Sequence, residues 1–525
     1  MKVSRKVKRY AAVIVIAIAF SMSLRLYIYW RIESTIIAEL TLLQSKGIYV
    51  HYKSLDVNAW KTSLRIAELE VKFPVANPGC TSEAKIPELV VEGLSVLPFI
   101  FEKELFLSAV LIKRPSLRYA NNFKIVGFSE VKKRFLKELE IGKLSIESGT
   151  IELIDSLTCE RKVNASLDFA FSGLTIKKPG YDSMFWFVGG AQATNVVIDV
   201  PDHFYKIALK QITYSQTKKW IHLDSFQVSP TLNKIAFAKN IGHQADQFIC
   251  TMPELEMNGV EIGQRFKPSF SSRHMAFNFN LKVYRDKRFP LSLRRPRILP
   301  VRYLRQLAFA LQIDSIRIDP SFISYEEFPE KGSETGTIFF NHLQAGIYNL
   351  SNDSIRDLHM NVTSRFMNAG DLQARFMFPL KSKKPYTAEG ALTNFSMPGI
   401  NTMLLPVANI KIESGIMHEM KFQFHYDDFK SEGELEVNYS DLKVLSLRKD
   451  AQRSTNKFMS FIMSALVRKN VGDSDKKDKR TGQIHWERDA QKGVLNYWWK
   501  SVLSGVKEVY NLDKLGGNKE KEKSQ

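Results

Sequence analysis

The sequence predicts a mainly β protein, a long curled antiparallel sheet forming an apolar groove, with one N-terminal transmembrane helix and short C-terminal helices. Three observations carry that expectation. The run from Ala11 to Trp30 is apolar apart from a single charge, Arg25. From about residue 47 to 447 apolar and polar residues alternate at strand period, as in Phe422, Phe424 and Tyr426, then a polar turn, then Leu435, Val437 and Tyr439. A nine-residue phrase returns, HLDSFQVSP at 222–230 and QIDSIRIDP at 312–320, which points to a repeated structural unit, since a catalytic centre needs its residues only once.

At the N-terminus, twenty residues at helical rise span roughly 30 Å, the thickness of a bilayer core. Ala11 and Phe20 lie within this predicted anchor. Arg25, near its far end, can extend its stem to the headgroups beside the aromatic belt of Tyr27, Tyr29 and Trp30. Lys2, Arg5, Lys6, Lys8 and Arg9 precede the run without an acidic residue, so the N-terminus is expected in the cytoplasm and the bulk of the chain across the membrane. The small-residue triplet at 17–19 lies inside the apolar run, and helical spacing continues through Ile32, Ile36, Ile37, Leu40 and Leu43. Both features favour a retained anchor over a cleaved signal peptide. Residues 1–46 thus read as cytoplasmic stub, anchor and helical continuation.

The 75 Lys and Arg against 55 Asp and Glu give a formal charge of +20, which favours anionic partners. The predicted topology argues against nucleic acid among these and for lipid headgroups. Cys80, Cys159 and Cys250 contain no C-x-x-C pair, so no zinc site is indicated and at most one bridge can form.

Within the β region, Leu223 to Phe226 and Ile313 to Ile316 each break the two-residue period by one position. Such a slip turns side chains to the other face unless a bulge absorbs it, so the Asp-Ser pairs of the repeated phrase are expected to mark kinks. Short helices are expected at 129–139, 300–311 and 397–406. The stretch 448–511 reads as a C-terminal helical segment, with Leu495, Trp498, Val502, Val506 and Val509 on one face of a helix that plugs the groove or meets a membrane interface. Residues 512–525 read as a disordered tail.

No catalytic constellation emerges. The elbow, zincin, P-loop and dinucleotide motifs are missing; Ser129 and Lys132 match S-x-x-K without its companion motifs, and Asp427-Asp428 reads as a turn. The expectation is a non-enzyme without cofactor or metal.

SLRIAELEVKFP, KIPELVVEGLSVLPFIFEKELFLSAVLIKRPSLRY and KLSIESGTIELID, within about residues 55 to 155, resemble the opening of AsmA-like proteins. That resemblance implies an inner-membrane protein projecting a periplasmic β-groove over residues 47–447. It also implies a role in outer-membrane lipid homeostasis, similar to chorein-type lipid bridges. Expected partners are the inner membrane, phospholipid or lipopolysaccharide, and the outer membrane or its assembly proteins. The alternative is an assembly factor that contacts proteins through its apolar sheet face.

The groove itself is expected at Leu311, Ile313, Phe422, Phe424, Tyr426, Leu435, Val437 and Tyr439, where Phe424→Glu would leave the fold intact but deplete lipid. Arg285, Arg288, Arg294, Arg295 and Arg297, in a stretch with one acid, Asp286, read as a solvated loop face or an anionic headgroup patch. A phosphatase reporter fused after residue 450 should be active in a bacterial host; an inactive phosphatase with an active cytoplasmic reporter would overturn the topology.

Overall fold

The computed structural model describes residues 48–58, 61–73, 80–95, 104–120, 138–177, 185–263, 268–291, 296–353, 356–380, 384–446 and 478–509, with isolated positions between 22 and 44 and at 98 and 102. These residues are mainly strand and belong to two compact units, 1–218 and 219–525.

In the first unit, β1 (Tyr49–His51) and β2 (Ser54–Asn58) both pair with β3 (Ser63–Phe73), which pairs with β4 (Ser82–Glu92). Next come β5 (Glu104–Lys113) and β6 (Ser116–Ala120), two pieces of one line antiparallel to β4. Then follow β7 (Glu138–Ile154), β8 (Arg161–Lys177), β9 (Phe185–Val200) and β10 (Tyr205–Ser215). The pairing of β7 with β5 and β6 is parallel, which corrects the all-antiparallel expectation. A disulfide between Cys80 and Cys159 ties the segment before β4 to the β7–β8 turn.

A line of irregular backbone crosses this sheet. Glu68 has φ 51° and faces Pro87; Arg114, φ 49°, sits in the break between β5 and β6; Ser148 has φ 52° and Asn195 φ 53°. The register places Arg114 opposite Pro87 and Ser148 beside Arg114, with shifts at Ser148 and at Ser166–Asp168. Each left-handed residue costs about 1–2 kcal/mol. It keeps Leu64 and Ile66 on the same face as Leu69 and Val71, and turning one such side chain outward would forfeit about 1.5–3 kcal/mol of burial. Burial outweighs strain, so the slip is absorbed in the backbone.

The second unit repeats the device. Ser225, φ 53°, in β11 (Trp220–Pro230) faces Pro253 in β12 (Asp246–Asn258). β12 pairs with another broken line, β14 (Ser269–Phe277) and β15 (Asn280–Asp286), after the short β13 (Glu261–Gly263). That line runs parallel to β16 (Ala310–Phe328), whose pairing with β17 (Gly336–Ser351) shifts around Ser321, close to His342 at φ 48°. Thus β11 corresponds to β3 and β16 to β7, and the two copies of the nine-residue phrase occupy different places in the repeat. The first kinks at Ser225, as expected. In the second, Asp314-Ser315 is not the kink; the left-handed residue is Asn349, φ 63°, opposite Asp314 on β17.

An antiparallel meander follows: β18 (Leu358–Phe366), β19 (Gly370–Phe378), β20 (Tyr386–Ser396), β21 (Ile410–Tyr426), β22 (Lys430–Ser446) and β23 (Asp478–Glu487). The α-helices whose bounds are described are α1 (Lys234–Ile241), absent from the sequence expectation, α2 (Pro300–Arg305), shorter than expected, α3 (Asn401–Ala408), preceded by a 3-10 turn at Met397–Ile400, and α4 (Val494–Val509). The candidate helix at 129–137 lies outside the described residues; Glu138 and Leu139 are already strand. The expected helical segment 448–511 contributes β23 as well as α4.

The core of this unit lies beneath α4. Phe376, Phe424, Leu435, Val437 and Ile484 from the sheet pack with Tyr497, Val509 and the partly buried Trp498, Val502 and Val506 from the helix. Two glycines let the helix lie flush: a Cβ on Gly505 would come within 2.9 Å of Leu435 Cβ, and one on Gly482 within 2.3 Å of the Gly505 carbonyl. The Ser431 and Ser501 hydroxyls meet at 2.7 Å. Along the edge strand β23, the His485 N–H donates to Ser504 Oγ at 3.1 Å and the Gln483 N–H to the Glu508 carboxylate. α4 therefore covers both a face and an edge that would otherwise template further pairing.

Phe424 is 1% exposed, so Phe424→Glu places an unpaired carboxylate in this core. The variant should lose roughly 3–5 kcal/mol of stability, seen in thermal melting and proteolysis of residues 219–525; a cooperative melt unchanged from wild type would refute the packing.

Candidate functional site

The hairpin expected to form an open groove is closed. Phe424, Tyr426, Leu435, Val437 and Tyr439 are at most 2% exposed, and Phe422 is partly buried against the same core. The register also differs from a simple meeting of the two triplets: Phe422 faces Leu435, but Phe424 faces Gly433 and Tyr426 faces Ser431. A Cβ on Gly433 would fall 2.5 Å from Phe424 Cα. The correction has a physical cause: alternation marks an apolar face but not its cover, and α4 supplies the cover. Ile313 is likewise buried, and Leu311 is half-buried on β16. The Tyr426 and Tyr497 hydroxyls are pushed above the usual phenol range by burial.

The arginine patch is mostly internal bonding. Arg285 pairs with Asp246 at 2.6 Å and Arg288 with Asp286 at 2.6 Å, the latter lying over the Phe328 ring. Arg288 holds the buried Asp286 carboxyl below the usual carboxylate range. The Arg297 N–H donates to the Ala490 carbonyl at 2.7 Å. Arg294 and Arg295 lie outside the described residues, as do Ala11, Phe20 and Arg25 of the predicted anchor and the Ser129–Lys132 pair. Trp30 is helical and exposed, its ring 6.3 Å from that of Tyr27. Among the described residues no helix is long and apolar enough to cross a membrane.

The open apolar face lies in the first unit, where the sequence reading named no site. Following the register, one row runs Ile66, Leu89, Ile112, Ile146, Phe169, Ala193, Ile212 from β3 to β10. A second runs Val91, Val110, Leu144, Phe171, Ala191, Tyr214. Across the bend a third runs Ala84, Leu117, Ile151, Ala165, Ile198, Ile207. Val110 alone among them is buried; the others are half-buried or, at Leu117, exposed. Phe169 and Phe171 meet edge-to-face at 4.3 Å within the surface. Seven strands at about 4.8 Å spacing make it about 30 Å wide.

The reverse face is charged and laddered. Glu88 pairs with Arg65 at 2.7 Å and Lys113 at 3.0 Å, Lys85 with Glu83 at 3.0 Å, and Glu152 with Arg118 and Arg161. Such a sheet leaves water on one side and demands an apolar neighbour on the other. The signal was present in SLRIAELEVKFP, where Leu64 and Ile66 are followed, after the one-residue slip, by Leu69, Val71 and Phe73. Recognising it as a face seven strands wide required the strand register.

Elsewhere, a shallow groove of about 540 Å³ crosses β18–β23 between polar side chains of mixed sign, including Arg375, Lys421, Glu389 and Glu434. His222, Glu254 and Glu256 gather their ligand-type atoms within 4.8 Å on paired strands, with both glutamates well exposed. Neither arrangement forms a catalytic constellation. No protein-family model matches the chain, and no curated protein matches it.

The bend across the first unit is clipped by Asp168, which accepts from the Asn195 amide at 2.8 Å and the Ser148 N–H at 2.6 Å. These two donors hold its carboxyl below the usual carboxylate range. A depressed carboxylate contributes stability above its ordinary unfolded pKa, near 4, and loses it as pH falls through the folded value. Asp168→Ala should therefore lower the melting temperature of residues 1–218 at pH 7, with the gap to wild type narrowing below pH 4. A gap constant across that window would show that the bend does not depend on the charge.

Proposed function

We propose that the protein binds the acyl chains of lipids along the apolar face of the first unit and conducts them between the inner and outer membranes. In this reading residues 11–30 anchor it in the inner membrane and the β units lie in the periplasm. The observation that carries it is the continuous, half-buried apolar face backed by a charged ladder. Moving a sixteen-carbon chain from a membrane into water costs about 12 kcal/mol at about 0.8 kcal/mol per methylene. A surface about 30 Å wide, with near-equivalent apolar rows, offsets that cost step by step and leaves headgroups in solvent. The size of the surface also supports the reading, because a face this large left exposed on a soluble protein is an interaction site or an aggregation liability. The Cys80–Cys159 disulfide supports an oxidising compartment, and the resemblance to AsmA-like sequences points the same way.

Mass spectrometry of lipids co-purifying with the full chain in mild detergent tests the reading. Ile146→Glu and Phe169→Glu introduce carboxylates that can reach water on the half-exposed face, so each variant should remain folded while lipid content falls several-fold. Folded variants with undiminished lipid would sink the assignment. A lipid-free wild type that instead retains an envelope protein through this face would favour the assembly-factor alternative.

A further inference from the structure

Two stretches distant in sequence, the basic segment after β15 and the aromatic helix α4, are brought to one end of the second unit. The Arg297 N–H donates to the Ala490 carbonyl, and Arg488 reaches back to the Arg297 carbonyl. The β21–β22 turn joins them: Arg302 pairs with Asp428, the Arg488 N–H donates to the Phe429 carbonyl at 2.7 Å, and its Nη1 donates to the Asp428 carbonyl at 3.2 Å. Asp427 shapes the turn by accepting from the Phe429 and Lys430 N–H groups.

These bonds fix large apolar side chains in solvent. Phe429 is 77% exposed, Leu495 69%, Tyr303 57% and Trp499 48%. Leu495 and Trp499, four residues apart, share one side of α4. Near them, residues 296–305 contribute Arg297, Arg302 and Arg305 and no acid, and Lys492, whose ammonium group burial holds below its usual range, lies two residues before α4. Of the nearby acids, Asp428 pairs with Arg302 and lies 3.8 Å from Arg488, Glu327 pairs with Lys287 and Asp286 with Arg288, and Asp427, Glu487 and Asp489 remain. Exposed Trp, Tyr, Phe and Leu within a basic rim fit the headgroup region of an anionic bilayer, where rings enter the interface and cations meet phosphates.

We propose that this end of the second unit seats on an anionic membrane surface, with Phe429, Tyr303, Leu495 and Trp499 inserted at headgroup depth and Arg297 and Lys492 against lipid phosphates. The surface is separate from the acyl-binding face, and the docking does not depend on that reading.

The test holds the full chain in amphipol on beads through an N-terminal tag and measures capture of phosphatidylcholine vesicles with or without phosphatidylglycerol. The wild type should capture the anionic vesicles preferentially, less so as salt rises. Phe429→Ser/Leu495→Ser/Trp499→Ser should reduce that capture about tenfold with unchanged circular dichroism. Should the triple variant unfold, Arg297→Glu/Lys492→Glu, which leaves the apolar residues in place, should abolish the preference for anionic vesicles. Phe169→Glu should capture vesicles like wild type, which distinguishes failure here from failure of the acyl-binding reading. Equal capture of both vesicle types by the wild type, capture undiminished in a folded variant, or no capture with a protein partner retained would each overturn the proposal.

Discussion

Everything in this molecule depends on keeping apolar side chains on one face of a strand longer than a flat sheet tolerates. Strands of up to nineteen residues must bend, and a bend that inserts a residue reverses the inside and outside of all that follows. Here a left-handed residue, or a break beside proline, is placed at the same row on neighbouring strands, so that the sheet bends along a line and the apolar face survives the bend. Glu68, Arg114, Ser148 and Asn195 do this in one unit, Ser225 and His342 in the other. The two prolines, Pro87 and Pro253, each sit opposite a left-handed residue, where ladder hydrogen bonding is already interrupted and a missing N–H costs least.

From that shared construction the units diverge. The second closes: α4 lies across the last strands and caps the N–H groups of the edge strand, and Leu299, Val301 and Leu304 from the segment around α2 join the same core. The first keeps its apolar rows half-exposed, with its buried residues confined to places such as the Cys80, Ala120 and Ile154 cluster beside the disulfide. A cross-link there can compensate for a thin core, since it restricts the unfolded chain whatever the sheet face buries. An open face and a stapled rim are compatible with a surface that stays folded while its apolar ligand comes and goes.

The electrostatics follow the same division of faces. Carboxylates and ammonium groups alternate along the outer side of the first unit, while in the second the arginines after β15 are drawn into ion pairs and backbone contacts that hold the crossing segment in place. Positive charge that looked like a free patch in the sequence is thus partly structural. What remains exposed at that end is apolar and basic together.

Period and composition alone determined that this chain is mainly β, that its strands are one-sided, and that residues 494–509 present an amphipathic helix. The one-residue slip in HLDSFQVSP also marked a kink, at Ser225, because a slip leaves side chains stranded unless the backbone absorbs it; in QIDSIRIDP the partner strand absorbs it instead, at Asn349. What the sequence could not decide was cover. Phe422, Phe424 and Tyr426 alternate as cleanly as Ile66, Leu89 and Ile112 line up across strands, yet one set is sealed under α4 and the other is open. The difference arises from a helix some seventy residues further along the chain and from glycines at 482 and 505 whose purpose appears only where helix and sheet touch. Burial is a property of what two surfaces do to each other, and only the tertiary structure brings them together.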